Sequence, residues 1–151
     1  MPQLVKGGKF VFGWSVVGPA GEIVIPPDAF EEYGFQESET MVLFSASRTS
    51  GGFILARRTK LAASPMAPAL TDLGEQAVGR IGRRTFATCL MGAGMIRVAT
   101  GLLAAFGAPP GNRLLAVRGS HMGLGMIVKG RIVREAERHP EIPVFNTAGA
   151  W

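Results

Sequence analysis

The chain has 151 residues, 47% of them hydrophobic and 18% charged, which is one domain with enough apolar surface for a core and excludes a disordered tail. Its one cysteine, Cys89, excludes an internal disulfide and fits a reducing cytoplasm. The net charge of +5 is uneven: residues 1–58 carry −1, residues 59–84 carry +2 and residues 85–151 carry +4, so the positive part suits an acidic partner.

In chain order, Phe10 to Val17 is rich in β-branched and aromatic residues and predicts a strand. No apolar run of signal-peptide type follows Lys6 and Lys9, which predicts a cytoplasmic protein. Gly18-Pro-Ala-Gly21 supplies a turn, and Glu22 to Ile25 a second strand. Pro27 then sits well in the first turn of a short helix through Tyr33, with Asp28 near its positive end and Gly34 as its stop. Strands Thr40–Ser47 and Phe53–Arg58 make a hairpin around a tip at Arg48 to Gly52. Thr59 to Ser64 continues as a helical piece, Pro65 to Leu70 reads as linker, and Thr71 to Gly79 as a bridging helix.

The order then recurs. Phe86–Met91 and Met95–Val98 are strands around a turn at Gly92-Ala-Gly94. Thr100 is a candidate N-cap for a helix to Phe106, and Gly107 stops it. Strands Arg113–Gly119 and Leu124–Gly130 form a second hairpin, followed by a helix over Ile132–Arg138 and an edge strand over Ile142–Phe145. Shifting residues 21–58 by 73 positions without a gap gives seven identities: Gly21/Gly94, Ile23/Ile96, Gly34/Gly107, Ser47/Ser120, Gly52/Gly125, Ile54/Ile127 and Arg58/Arg131. Apolar class also persists at Phe30/Leu103, Tyr33/Phe106 and Met41/Leu114. The chain is therefore read as two copies of one motif, residues 1–58 and 85–151, joined by a linker with a short helix over 59–84. Arg97 at the centre of the apolar window 89–108, and the match of that window to a soluble-looking first copy, argue against a membrane span there.

Gly21-Glu-Ile-Val-Ile-Pro26, then Ala29-Phe-Glu-Glu-Tyr-Gly34, then the hairpin from Met41 to Arg58 resemble the SpoVT/AbrB swapped-hairpin family. The second copy departs at Ile-Pro, where it reads Val98-Ala99. The resemblance implies a mainly β fold with short helices (α+β), in which two motifs exchange hairpins and close one pseudo-twofold barrel. In a tandem chain this happens internally, in the MraZ-like arrangement, and a unit of this kind is expected to be a folded monomer that is able to pair further. A lone motif of this size buries too little surface, and pairing covers its edges.

The resemblance also implies a DNA-binding transcriptional regulator. Its DNA-binding members place basic residues after the turn glycine and in the short helix, where this chain has Glu22 and Met95, then Glu31-Glu32 and Ala104-Ala105. Carboxylates there repel phosphate. The expected duplex contacts therefore move to the linker and second copy: Arg80, Arg83, Arg84, Arg97, Arg118 and Lys129. Of Arg113, Arg118, His121, Lys129 and Arg131, on the second hairpin or just past it, alternation puts Arg113 on the opposite strand face from Arg118, so these five do not all form one patch. The competing reading of the linker arginines is a solvated segment. Docking would be charge-led, with specificity from DNA shape.

The alternative is a protein-interaction or small-ligand module without DNA binding, with Trp14, Phe44, Phe53 and Trp151 as its apolar contact surface. Besides duplex DNA, a protein partner or a homo-oligomer is the expected association. No enzyme constellation emerges and no metal or cofactor is expected, because no Cys/His spacing suits a metal and Gly92-Ala-Gly94 with Arg97 is a broken dinucleotide fingerprint in a strand–turn–strand setting. Cys89 reads as structural, His121 as an exposed tip, and His139 as a helix end. Arg118-Gly-Ser-His-Met122 resembles a vector scar but aligns with the first tip, so it is read as native.

Overall fold

The computed structural model describes residues 10–62, 78–81, 84–119 and 123–146. Among the described residues ten strands and four short helices follow one another, in the predicted order apart from β5: β1 (Val11–Val16), β2 (Glu22–Val24), α1 (Pro27–Glu32), β3 (Thr40–Ser45), β4 (Phe53–Arg57), α2 (Arg58–Ala62), β5 (Val78–Ile81) and β6 (Arg84–Leu90), then β7 (Met95–Arg97), α3 (Thr100–Ala105), β8 (Arg113–Arg118), β9 (Leu124–Ile127), α4 (Arg131–Ala136) and β10 (Val144–Phe145). The class is mainly β with short helices.

Strand pairing makes the repeat physical. The larger sheet runs β10-β1-β8-β9-β4-β3-β6-β5, and the 73-residue shift turns that order into its own mirror through β1/β6, β8/β3 and β9/β4. The first strand of each copy pairs with the hairpin of the other: β1 lies antiparallel to β8, and β6 antiparallel to β3. The second sheet is β2 against β7, with Ile23 opposite its own repeat mate Ile96. Phe53 likewise faces its mate Met126 where β4 meets β9. These two pairs mark a local twofold axis. Among the described residues, β10 and β5 stand at the two ends of the larger sheet's order.

Local geometry is copied as closely. The helix entry at Pro26 has φ −51° and ψ 131°, and at Ala99 φ −52° and ψ 131°. The departure from Ile-Pro therefore costs the second copy no backbone shape, because alanine adopts the φ that the proline ring enforces. Ala99, not Thr100, is the N-cap residue, and Thr100 is the first helical residue. The turn glycines Gly21 and Gly94 take φ +81° and +71°, the left-handed region that other residues avoid. Their carbonyls accept from the other copy, Gly94 from the Ile25 N–H at 2.9 Å and Gly21 from the Val98 N–H at 3.0 Å.

The main core packs Ile23, Met41, Leu43, Phe53, Leu55, Ile96, Leu103, Leu114 and Met126 from both copies. A second cluster, with Trp14, Leu115, Val117 and Ile127, lies on the opposite sheet face against Val133 of α4. Ser15, fully buried, donates to the Val24 carbonyl at 2.7 Å.

Three expectations are corrected. Val78 and Gly79, expected within a bridging helix, begin β5, which pairs antiparallel with β6; residues 71–77 lie outside the described set. Most of residues 78–84, expected as linker, belong to the sheet, because an unpaired β6 edge is covered by the chain that immediately precedes it. Trp14, Phe44 and Phe53 are 4%, 5% and 0% exposed, so they are core and not a contact surface; Trp151 lies outside the described residues. The C-terminal edge strand is present as β10, parallel to β1, with the Pro143 carbonyl accepting from Trp14 at 2.9 Å.

Candidate functional site

The basic residues singled out from the sequence are spread over separate environments. Arg80 and Arg84 stand in the edge hairpin, in register with Thr85 and Ile81; Arg83 lies outside the described residues. Arg97 is exposed on β7, directly opposite Glu22 of β2. The Glu22 carboxyl is held below the usual range, first by the Ala20 N–H at 2.8 Å, with the Arg97 charge adding to it.

Arg118, at the end of β8, grips Glu32 of α1 with both ends of its guanidinium, Nε at 2.7 Å and Nη2 at 2.5 Å. Its guanidinium also lies 4.6 Å over the Phe10 ring. The hydrogen bond from Arg118 is the main reason the Glu32 carboxyl titrates below its ordinary value. The same helix end reaches β8 a second time, where Tyr33 Oη accepts from the Gly119 N–H at 3.1 Å. Arg113 stacks 4.3 Å over Trp14 on the other face, so alternation does separate it from Arg118. The Glu32–Arg118 pair thus joins an acid of the first copy to a base of the second, and the Glu22–Arg97 register sets the same two signs opposite each other. Glu37 adds a third link by accepting from the Gly94 N–H at 2.8 Å.

The axis-related place is built differently. Under the 73-residue shift Glu32 becomes Ala105, Tyr33 becomes Phe106, and Arg118 becomes Ser45. Each replacement removes a polar or charged end, and the clasp cannot form. In its place is an open cavity of about 490 Å³. Ala105, Phe106 and Gly107 from the end of α3 form one wall, Ser45 to Arg48 a second, and Val128 with Lys129 a third. The walls are tied together by backbone: the Phe106 carbonyl accepts from Gly52 at 2.8 Å, and the Ser50 carbonyl accepts from Val128 at 3.0 Å and Lys129 at 2.9 Å. Gly51 has φ +63°, and a Cβ there would lie 2.5 Å from Val128 Cγ2. Arg48 and Lys129 are exposed, and among the described residues neither pairs with a carboxylate.

Sequence reasoning named Lys129 but missed Arg48, Ser45 and the Glu32–Arg118 clasp. The signal was present in the repeat alignment, at the two columns where charged residues face Ala105 and Ser45. A smaller cavity of about 210 Å³ lies beside Arg97, lined by Glu22, Leu90 and Met95. Burial pushes the Cys89 thiol up to about 12, so it stays protonated at neutral pH. Among the described residues no group of His, Cys, Asp and Glu is placed to hold a metal. Among them, too, no helix is long and apolar enough to cross a membrane, and residues 89–108 contain β7 and α3 instead. No protein-family model, curated protein or solved structure matches the chain.

Proposed function

We propose that the chain is an AbrB-like swapped-hairpin protein whose two tandem copies close one pseudo-twofold barrel, and that it acts as a cytoplasmic DNA-binding transcriptional regulator. Strand exchange supports the fold: β1 and β6 each pair with the other copy's hairpin, as that architecture requires. The observation that carries the DNA reading is the edge hairpin β5–β6, whose sequence holds Arg80, Arg83 and Arg84 within five positions. Phosphates neutralised there release counterions, so affinity is charge-led and salt-sensitive. Arg97 and Arg118 are secondary contacts, because each faces a carboxylate of the first copy.

The second reading is a module without DNA binding. The pairing of Glu32 with Arg118 favours it, since that contact spends a basic group inside the molecule. Anisotropy of a labelled random-sequence duplex, titrated with the protein at low and near-physiological salt, separates the two. Binding that weakens steeply with salt and is lost in Arg83→Glu/Arg84→Glu supports DNA contact through the hairpin. No binding at low salt rejects it in favour of the second reading.

A further inference from the structure

We propose that the cavity between α3 and the β3–β4 hairpin tip binds a small organic anion, a phosphate monoester or a polycarboxylate, and that it exists because one of the two interlocking clasps has been deleted. This stands whether or not the protein binds DNA.

The first argument is the pattern of difference. In a folded internal repeat, axis-related positions carry related contacts, and here one clasp is complete while its mate is reduced to Ala105, Phe106 and Ser45. In the complete clasp a carboxylate from the helix end is held by an arginine of the facing hairpin. At the emptied position the helix carboxylate is gone, yet the walls carry Arg48 and Lys129. A ligand carboxylate or phosphate would restore the missing negative charge at the place that Glu32 fills on the other side.

The second argument is the lining. Two cations stand with the hydroxyls of Ser45 and Ser47, and no acid lines the cavity. Ser45 Oγ accepts from the Thr85 N–H at 3.2 Å, which leaves its proton for an acceptor. Phe106 and Val128 supply an apolar wall, which favours an organic anion over a bare inorganic one. A volume of about 490 Å³ suits a metabolite-sized ligand. The backbone bonds from Gly52, Val128 and Lys129 hold the walls before any ligand arrives, which lowers the ordering cost of binding.

The test is calorimetric titration of the full chain, with no DNA present, using glycerol 3-phosphate, citrate and inorganic phosphate as separate probes. Saturable binding of glycerol 3-phosphate or citrate, about tenfold weaker in Lys129→Ala and in Arg48→Ala, supports the site, and the better probe identifies the head group. Ser45→Arg/Ala105→Glu rebuilds the deleted clasp in place; it should abolish binding while the folded circular dichroism spectrum is kept. No binding of either organic probe up to about 1 mM overturns the proposal. So does binding that survives loss of both Arg48 and Lys129. Because the two single-alanine variants change exposed side chains, they report on the site even where the rebuilt clasp fails to fold.

Discussion

On one side of the local axis, the end of α1 reaches the opposing hairpin with Glu32 and Tyr33, and the hairpin answers with Arg118 and the Gly119 N–H. On the other side, the end of α3 offers Ala105 and Phe106 to Ser45, and a cavity remains. The backbones agree closely: the C-cap residues Tyr33 and Phe106 have φ −84° and −81°, ψ −2° and −3°. A shared backbone thus supports two surfaces of different chemistry, one closed by charge and one open to solvent. Fold and surface have separated: apolar identity at the axis maintains the architecture, while a few side chains at the periphery distinguish the halves.

The largest loss of stability is expected at the axis. Phe53→Ala removes a fully buried ring that both copies share, and should cost about 3–5 kcal/mol in urea denaturation. A loss below about 1 kcal/mol would mean that the axis contributes little to joining the copies.

The turn glycines come next. Gly21 and Gly94 share a left-handed backbone, so alanine at either costs about 1–2 kcal/mol. A Cβ at Gly21 would also lie 1.9 Å from the Val98 carbonyl oxygen, whereas Gly94 has nothing within 4 Å. Gly21→Ala should therefore destabilise clearly more than Gly94→Ala; equal losses in thermal melts would show that the copies are packed alike there.

The closed clasp gives a smaller, pH-dependent effect. The Glu32 carboxyl titrates below its ordinary 4.5 in the folded chain, so its pairing stabilises above that pH and is lost as pH falls through the folded value. Glu32→Gln should flatten stability against pH below about 4.5, whereas the emptied mate has no such response to lose. The pair is partly exposed, so the effect at neutral pH is small and salt-sensitive.

The smallest effect lies beyond α4. His139 bonds to Glu141 at 2.6 Å and lies 3.4 Å from Glu135, with Glu141 the main reason that its pKa is raised above 6.5. The stabilisation is complete below 6.5 and is lost as pH rises through the folded value. His139→Gln should remove that slight decline in melting temperature, and a decline that persists would assign it to another group.

Element order was legible in the sequence because its signals are local. Gly34 and Gly107 end their helices with φ +67° and +85°, Pro27 opens α1, and β-branched and aromatic runs mark the strands. Residues 78–81 carry too little periodicity, at four residues, to separate strand from helix, and the pairing with β6 decides the matter. The sequence does not tell that Trp14, Phe44 and Phe53 are core, because an aromatic side chain has the same sequence signature inside and out.

The candidate site was legible only in part. Arg97, Arg118 and Lys129 were visible as cations, but whether each is paired depends on residues distant in the chain; Arg118 and Glu32 are 86 positions apart. The sequence by itself determined the repeat, its turns and helix stops, and the uneven distribution of charge. Only the tertiary structure decided that β1 pairs with β8 and not with the like-patterned β3, because two copies of one motif present nearly the same apolar faces and only packing selects between them. That exchange brings the acids of the first copy to the bases of the second, closing one clasp and leaving Arg48 and Lys129 around its empty mate.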